Sequence, residues 1–199
     1  PFYSFAPGMV SRALPDVWTM AAPADVLTAR SEGAVEALSG LLADVPTAHV
    51  AEAVDLLEAA VGTLQPAGRA LGAANASLPR YDHPLARLFQ AATTLREHRG
   101  DGHVAALVTV DLGPLEVLAL RCGMDLLREN VQPARGWTDE EWAAAEVRLK
   151  ERDLLDGAGT VSQAGRDLFR FAEDTTNRIA EAPWVALGPS AVIRLKELM

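Results

Sequence analysis

The sequence predicts a mainly α-helical protein, with an N-terminal helical domain over residues 1–113 and a second domain over 114–199 that carries a minimal two-stranded wing. Three observations predict it. Apolar residues recur every three or four positions through most of the chain. Prolines and glycines fall where helices start and stop. Only one stretch, Leu154 to Ser162, sets two short arms around a glycine turn. A chain of 199 residues that is 49% hydrophobic can bury a sizeable core.

The elements follow in order. Residues 1–22 mix aromatics and prolines with few charges and read as an arm with a short helix laid on a core, where Phe2, Tyr3, Phe5 and Trp18 pack. A first long helix is expected from about Pro23 to Leu42, with Leu27, Ala34, Leu38 and Leu41 inward. A second, from about Thr47 to Leu64, carries the stripe Val50, Val54, Leu57, Val61 and Leu64, and the short link between them predicts an antiparallel pair. Pro66 opens an Ala-rich helix ending near Asn75. Asp82 caps a fourth helix, with Leu85, Leu88, Ala92 and Leu95, that should stop at Gly100. Asp101 would then cap the nearly uncharged segment VAALVTVDL, expected to be buried on all sides. Pro114 starts a further helix through Leu120, and Asp125–Gln132 supplies another short one.

The stretch from Gly136 to Gly165 sets the character of the second domain. Thr138 can cap a helix while Glu141 reaches back to the cap's own amide, which is capping-box spacing. Trp142, Ala145 and Leu149 form its inward stripe. After it come Leu154-Leu155-Asp156, the turn Gly157-Ala158-Gly159, then Thr160-Val161-Ser162. A last long helix places Leu168, Phe171, Thr175 and Ile179 on one face until Pro183. That order is winged-helix-like.

Composition bounds function. No basic-then-apolar leader and no run of eighteen apolar residues is visible, so neither a signal peptide nor a membrane partner is expected. The chain opens at Pro1 rather than Met, and part of the biological amino terminus is expected to be missing. Cys122 is the one cysteine, which fits a reducing, cytoplasmic setting. With 18 basic and 27 acidic residues the net charge is −9, which disfavours a nucleic-acid partner.

The most polar cluster on apolar ground is Arg96 to His103. His98, Asp101 and His103 are the candidates for general acid and base chemistry, because imidazoles titrate near neutrality and a carboxylate can orient them. The plainer alternative is a helix end, a glycine hinge and a helix start. The spacing matches no zinc pattern and supplies no thiolate, so no metal is assigned. Nucleophile elbow, phosphate loop and dinucleotide fingerprint are all missing from the sequence, and the cofactor stays unknown. If the helix from Thr138 to Arg152 entered a DNA groove it would present Arg148, Lys150 and Arg152, but five acidic residues outnumber them and three stand at its amino-terminal end.

The segments RALPDVW, TLREHRGDGHVAAL, ARGWTDEEW, RLKERDLLDGAGTVSQAGRDL and RIAEAPWVALG resemble an actinobacterial family of helix-turn-helix or winged-helix proteins, over about Ala13 to Gly188. More distantly, LLDGAGTVSQAGRDL is similar to the wing and following helix of MarR-type regulators. The resemblance implies a winged-helix fold, and in the regulators a DNA-reading dimer with a small-molecule pocket. It carries over no catalytic residue.

The expected function is a binding protein for a hydrophobic small molecule of the secondary-metabolite kind, held between the two domains, with Trp18, Phe89, Arg96, His98, His103 and Trp142 as ligand-binding candidates. The alternatives are a ligand-responsive MarR-like regulator working as a homodimer, and a cofactor-free or metal-assisted biosynthetic enzyme using His98, Asp101 and His103.

Overall fold

The computed structural model describes residues 2–198, and the side chain of Phe2, expected to pack, lies outside the described set. A 3-10 turn at Phe2–Ser4 leads into α1 (Pro7–Ser11) and a second 3-10 turn at Asp16–Thr19. There follow α2 (Pro23–Leu41), α3 (Thr47–Val61), α4 (Ala70–Ala76), α5 (Pro84–Thr109), α6 (Pro114–Cys122), α7 (Arg128–Arg135), α8 (Asp139–Glu151), α9 (Gln163–Ala180), α10 (Ala182–Leu187) and α11 (Pro189–Leu198).

These elements form two compact units. The first unites the described part of Pro1–Met20 with His103–Thr176, the second Ala21–Gly102 with the described part of Asn177–Met199. Each unit thus draws on both sides of residue 113.

In the first unit α6 is buried along most of its length, from Leu115 to Leu120, and lies beside α7 and α8. The expected stripe on α8 is there: Trp142, Ala145 and Leu149 are essentially inaccessible and join the core with Leu107, Leu118 and Leu120. Burying such side chains contributes about 1.5–3 kcal/mol each. The N-terminal arm is tied to the same core by polar contacts. Tyr3 Oη donates to Leu112 O (2.5 Å), the Trp137 indole donates to Ser4 O (3.0 Å), and Ala6 N donates to Arg135 O (2.9 Å).

The predicted two-stranded wing is not formed. Among the described residues there is no strand, only one antiparallel bridge between Leu155 and Val161. The physical reason lies in Asp156, whose Oδ1 accepts from Ala158 N (2.9 Å) and Thr160 N (2.8 Å), so the segment closes on a side chain as a tight turn. The arms exchange only Asp156 N to Thr160 O (2.8 Å) and Ser162 N to Leu154 O (3.0 Å), and their other groups turn to the core and to Gly123. Leu154 and Leu155 enter the core, and Val161 N donates to Gly123 O (3.1 Å).

The second unit is built on α3. Val50, Ala53, Val54, Leu57 and Ala60 pack with Leu88, Ala91 and Leu95 of α5 and with Leu198, and α10 and α11 also lie against α3. The expected α2–α3 pairing is therefore not the main contact of α3. None of the described α2 residues is buried, and Leu41, expected inward, is 78% exposed.

Three further expectations are corrected. Gly100, Asp101 and Gly102 do not interrupt a helix, because α5 runs unbroken from Pro84 to Thr109. Its carboxyl-terminal segment is not buried on all sides, since Val108 is mostly exposed. On α9 the buried line runs through Gly165, Ala172, Thr176 and Ala180, leaving Phe171 in solvent. Gly165 is part of that line because a Cβ there would collide with Leu154 O.

Candidate functional site

Two surfaces carry the chemistry that the sequence singled out, one in each unit.

In the second unit, α5 presents Leu95, Arg96, His98 and Arg99 to an open groove of about 250 Å³, completed by Leu57, Ala92, Ala180, Pro183 and Trp184. The walls are apolar and the polar groups come from one helix. Below the groove α4 presses on α5 so closely that a Cβ on Gly72 would stand 2.8 Å from His98 Cα. The α4 amides are satisfied from α5. Asp101 Oδ2 accepts from Leu71 N (2.9 Å) and Gly72 N (2.8 Å). Asp101 thus caps a helix, as its residue type suggests, but the helix is α4 rather than the one that contains it. Arg69 completes the cluster, donating from Nη1 to His98 O (3.2 Å) and from Nη2 to Ile179 O (3.1 Å).

His98 is buried, with Nε2 3.3 Å from Gln65 O. A carbonyl only accepts, so Nε2 carries the hydrogen and Nδ1 is left as an acceptor. Burial, with the Arg69 charge, pushes the imidazole below its ordinary value against smaller opposing effects of Gln65 and Asp101. At neutral pH His98 is uncharged. A second open groove, of about 280 Å³, borders the same histidine from the side of Pro66, Gly72 and Ser77.

His103 belongs to the first unit and does not share the partners of His98. Its Nδ1 lies 3.0 Å from Thr176 Oγ1 and 3.6 Å from Glu173 Oε1. Thr176 spends its hydroxyl hydrogen on Ala172 O (2.7 Å), so it accepts from His103 Nδ1–H. Two histidines and Asp101 therefore sit in different hydrogen-bonded settings. Among the described residues no group of three or more His, Cys, Asp or Glu is placed to hold a metal ion.

The other ligand candidates are dispersed. Trp18 is half-exposed in the first unit, and Phe89 is half-buried in the second, with the Arg30 guanidinium 5.5 Å from its ring centroid. Trp142 is a core residue whose indole donates to Glu146 Oε1 (2.9 Å). Trp184 and Pro183 of the groove went unnoticed in the sequence, where Pro183 read only as the end of a helix.

In the first unit, α7 and α8 are joined by Gly136, Trp137 and Thr138, with Gly136 at φ 76°. That is a three-residue, glycine-containing link of the length found in helix-turn-helix motifs. A left-handed residue is needed there, and a Cβ would press on Met9 besides. The capping box is complete: Glu141 N donates to Thr138 Oγ1 (3.2 Å) and Thr138 N to Glu141 Oε2 (2.9 Å). The solvent side of α8 displays Glu140, Ala143, Ala144, Val147 and Glu151.

Two of its three basic residues are engaged internally. Arg148 Nε donates to Glu116 Oε1 (2.6 Å), and Arg152 donates to Val110 O (3.0 Å) and Asp111 O. Burial alone would raise the Glu116 carboxyl, but the Arg148 and Gly113 hydrogen bonds outweigh it and hold the group below its ordinary value. Lys150 is half-exposed.

No single helix among the described residues is long and apolar enough to cross a membrane. No curated protein and no solved structure matches the chain. The model of a helix-turn-helix family matches residues 1–199.

Proposed function

The chain belongs to a helix-turn-helix family, and from that premise we propose that it binds a small hydrophobic molecule and uses α7 and α8 as a scaffold rather than as a reader of duplex. The observation that carries the binding half is the groove beside His98. Six of its nine lining residues are apolar, Leu57, Ala92, Leu95, Ala180, Pro183 and Trp184, while Arg96, His98 and Arg99 gather on one helix. Apolar walls with a few convergent polar groups are the usual make-up of a ligand site. About 250 Å³ suits a small, largely apolar ligand, since the Arg96 guanidinium is already held by Glu97 Oε1 (2.6 Å) and Arg99 donates to Asn177 Oδ1 (3.1 Å). The scaffold half rests on α8. Asp139, Glu140 and Glu141 occupy the end that would meet base edges, and Arg148 and Arg152 are engaged within the unit.

Anilinonaphthalene sulfonate, an aromatic body with one anionic group, tests the groove directly. The protein should enhance its fluorescence saturably, and Ala92→Trp, which fills the groove from an exposed position, should weaken binding by about tenfold without changing the circular dichroism. Equal binding by Ala92→Trp would contradict the site.

A ligand-responsive transcription regulator is the second reading, favoured by the short α7–turn–α8 succession and by the family itself. It requires duplex binding that weakens steeply with salt.

A further inference from the structure

We propose that the outer face of α8, together with the first turn of α6, docks a basic amphipathic segment of a partner protein. This inference concerns the first unit and stands apart from the groove beside His98. A third open groove, also of about 280 Å³, lies between these helices, with Pro114, Leu115, Trp137 and Ala144 supplying apolar surface. Beside it, along the same helix, Ala143 and Val147 face solvent, Val147 being 52% exposed. An apolar strip on a helix in this position is unpartnered within the unit.

The rim gives the occupant its sign. Glu140, Glu141 and Glu151 are exposed around the strip, and the one arginine lining the groove, Arg148, is held by Glu116. Residues 103–176 as a whole carry fourteen acidic against eight basic side chains. A polyanion is repelled from such a face, whereas lysines and arginines on a partner's rim are attracted to it. An apolar centre inside a charged rim is the anatomy of a protein contact.

The dimensions fit a helix. From Glu140 to Glu151 the strip runs about 16 Å at 1.5 Å per residue, three turns of an apposed segment. One apolar side chain of that segment would enter the groove over Ala144 while its basic residues meet Glu140 and Glu151, the mode by which amphipathic helices lie in grooves.

The test uses the whole chain and a fluorescein-labelled amphipathic peptide of leucine and lysine, with a leucine and glutamate peptide of the same pattern as control, at about 0.15 M salt. The lysine peptide should bind and the glutamate peptide should not. Ala144→Trp, blocking the groove, and the pair Glu140→Lys with Glu151→Lys, reversing the rim, should each weaken binding by about tenfold or more while melting temperature and circular dichroism are retained. Should either variant fold poorly, the other carries the test. The proposal is overturned if the lysine peptide does not bind, if a well-folded Ala144→Trp binds it as tightly as the unsubstituted chain, or if duplex DNA binds the same face in competition.

Discussion

Arg148 Nε lies 2.6 Å from Glu116 Oε1, so the guanidinium that the sequence offers to a phosphate is held by a carboxylate of the neighbouring helix. Glu116 is itself nearly buried and also accepts from Gly113 N (2.7 Å). Removing the arginine strands a carboxylate with one remaining partner. Arg148→Ala should therefore destabilise the protein by about 1–3 kcal/mol in urea unfolding, more than an exposed surface substitution does.

Gly100 and Gly102 stand two residues apart in α5 but in opposite surroundings. A Cβ on Gly102 would run into the Arg69 guanidinium, which is fixed by two backbone carbonyls, and into Ile179, whereas on Gly100 it would meet only Glu97 Oε2 at 3.9 Å. Gly100→Ala should stabilise by about 0.5–1 kcal/mol through helix propensity. Gly102→Ala should destabilise by about 1–3 kcal/mol despite the same gain. Thermal melts of the two variants separate them by sign.

Thr138 and Glu141 close the amino-terminal end of α8 reciprocally. Thr138→Ala should cost about 1 kcal/mol, and Thr138→Ser should restore most of it. Paired denaturation curves check both.

Acid sensitivity should come in two windows. The imidazole of His98 is depressed in the folded state, so the unfolded chain binds the proton more readily and stability falls as pH drops below the ordinary value of 6.5. Glu58, bonded first by Arg87 and then by Arg80, is lowered from 4.5 to about 2, so its contribution is present above 4.5 and lost as pH falls toward about 2. Stability measured from pH 7 downward should fall in both ranges. His98→Gln should flatten the upper one and leave the lower one in place.

Much of the fold was legible because it rests on local spacing. The Val50-Val54-Leu57 stripe, the Trp142-Ala145-Leu149 stripe and the Thr138-Glu141 box all occupy their expected places. Where tertiary contacts decide, the reading failed. Gly100-Asp101-Gly102 looks like a break, yet Gly102 makes room for Arg69 and Asp101 serves α4, two demands that lie thirty residues away in sequence. The wing stopped at one bridge through a side chain, since no strand pattern reveals that Asp156 Oδ1 takes the Thr160 amide that would otherwise pair across the hairpin. Of the ligand candidates only Arg96 and His98 line the groove beside Trp184, because its other wall is supplied by α3 and by the segment after α9.

Duplex binding measured against salt tests the scaffold role of α8 most directly. Titration of a labelled duplex at about 50 mM salt should show no association tighter than about 10⁻⁴ M, the weak end of ordinary non-specific binding. Micromolar association that weakens steeply with added salt, and is lost in Arg148→Ala, Lys150→Ala and Arg152→Ala together in a folded protein, would contradict it.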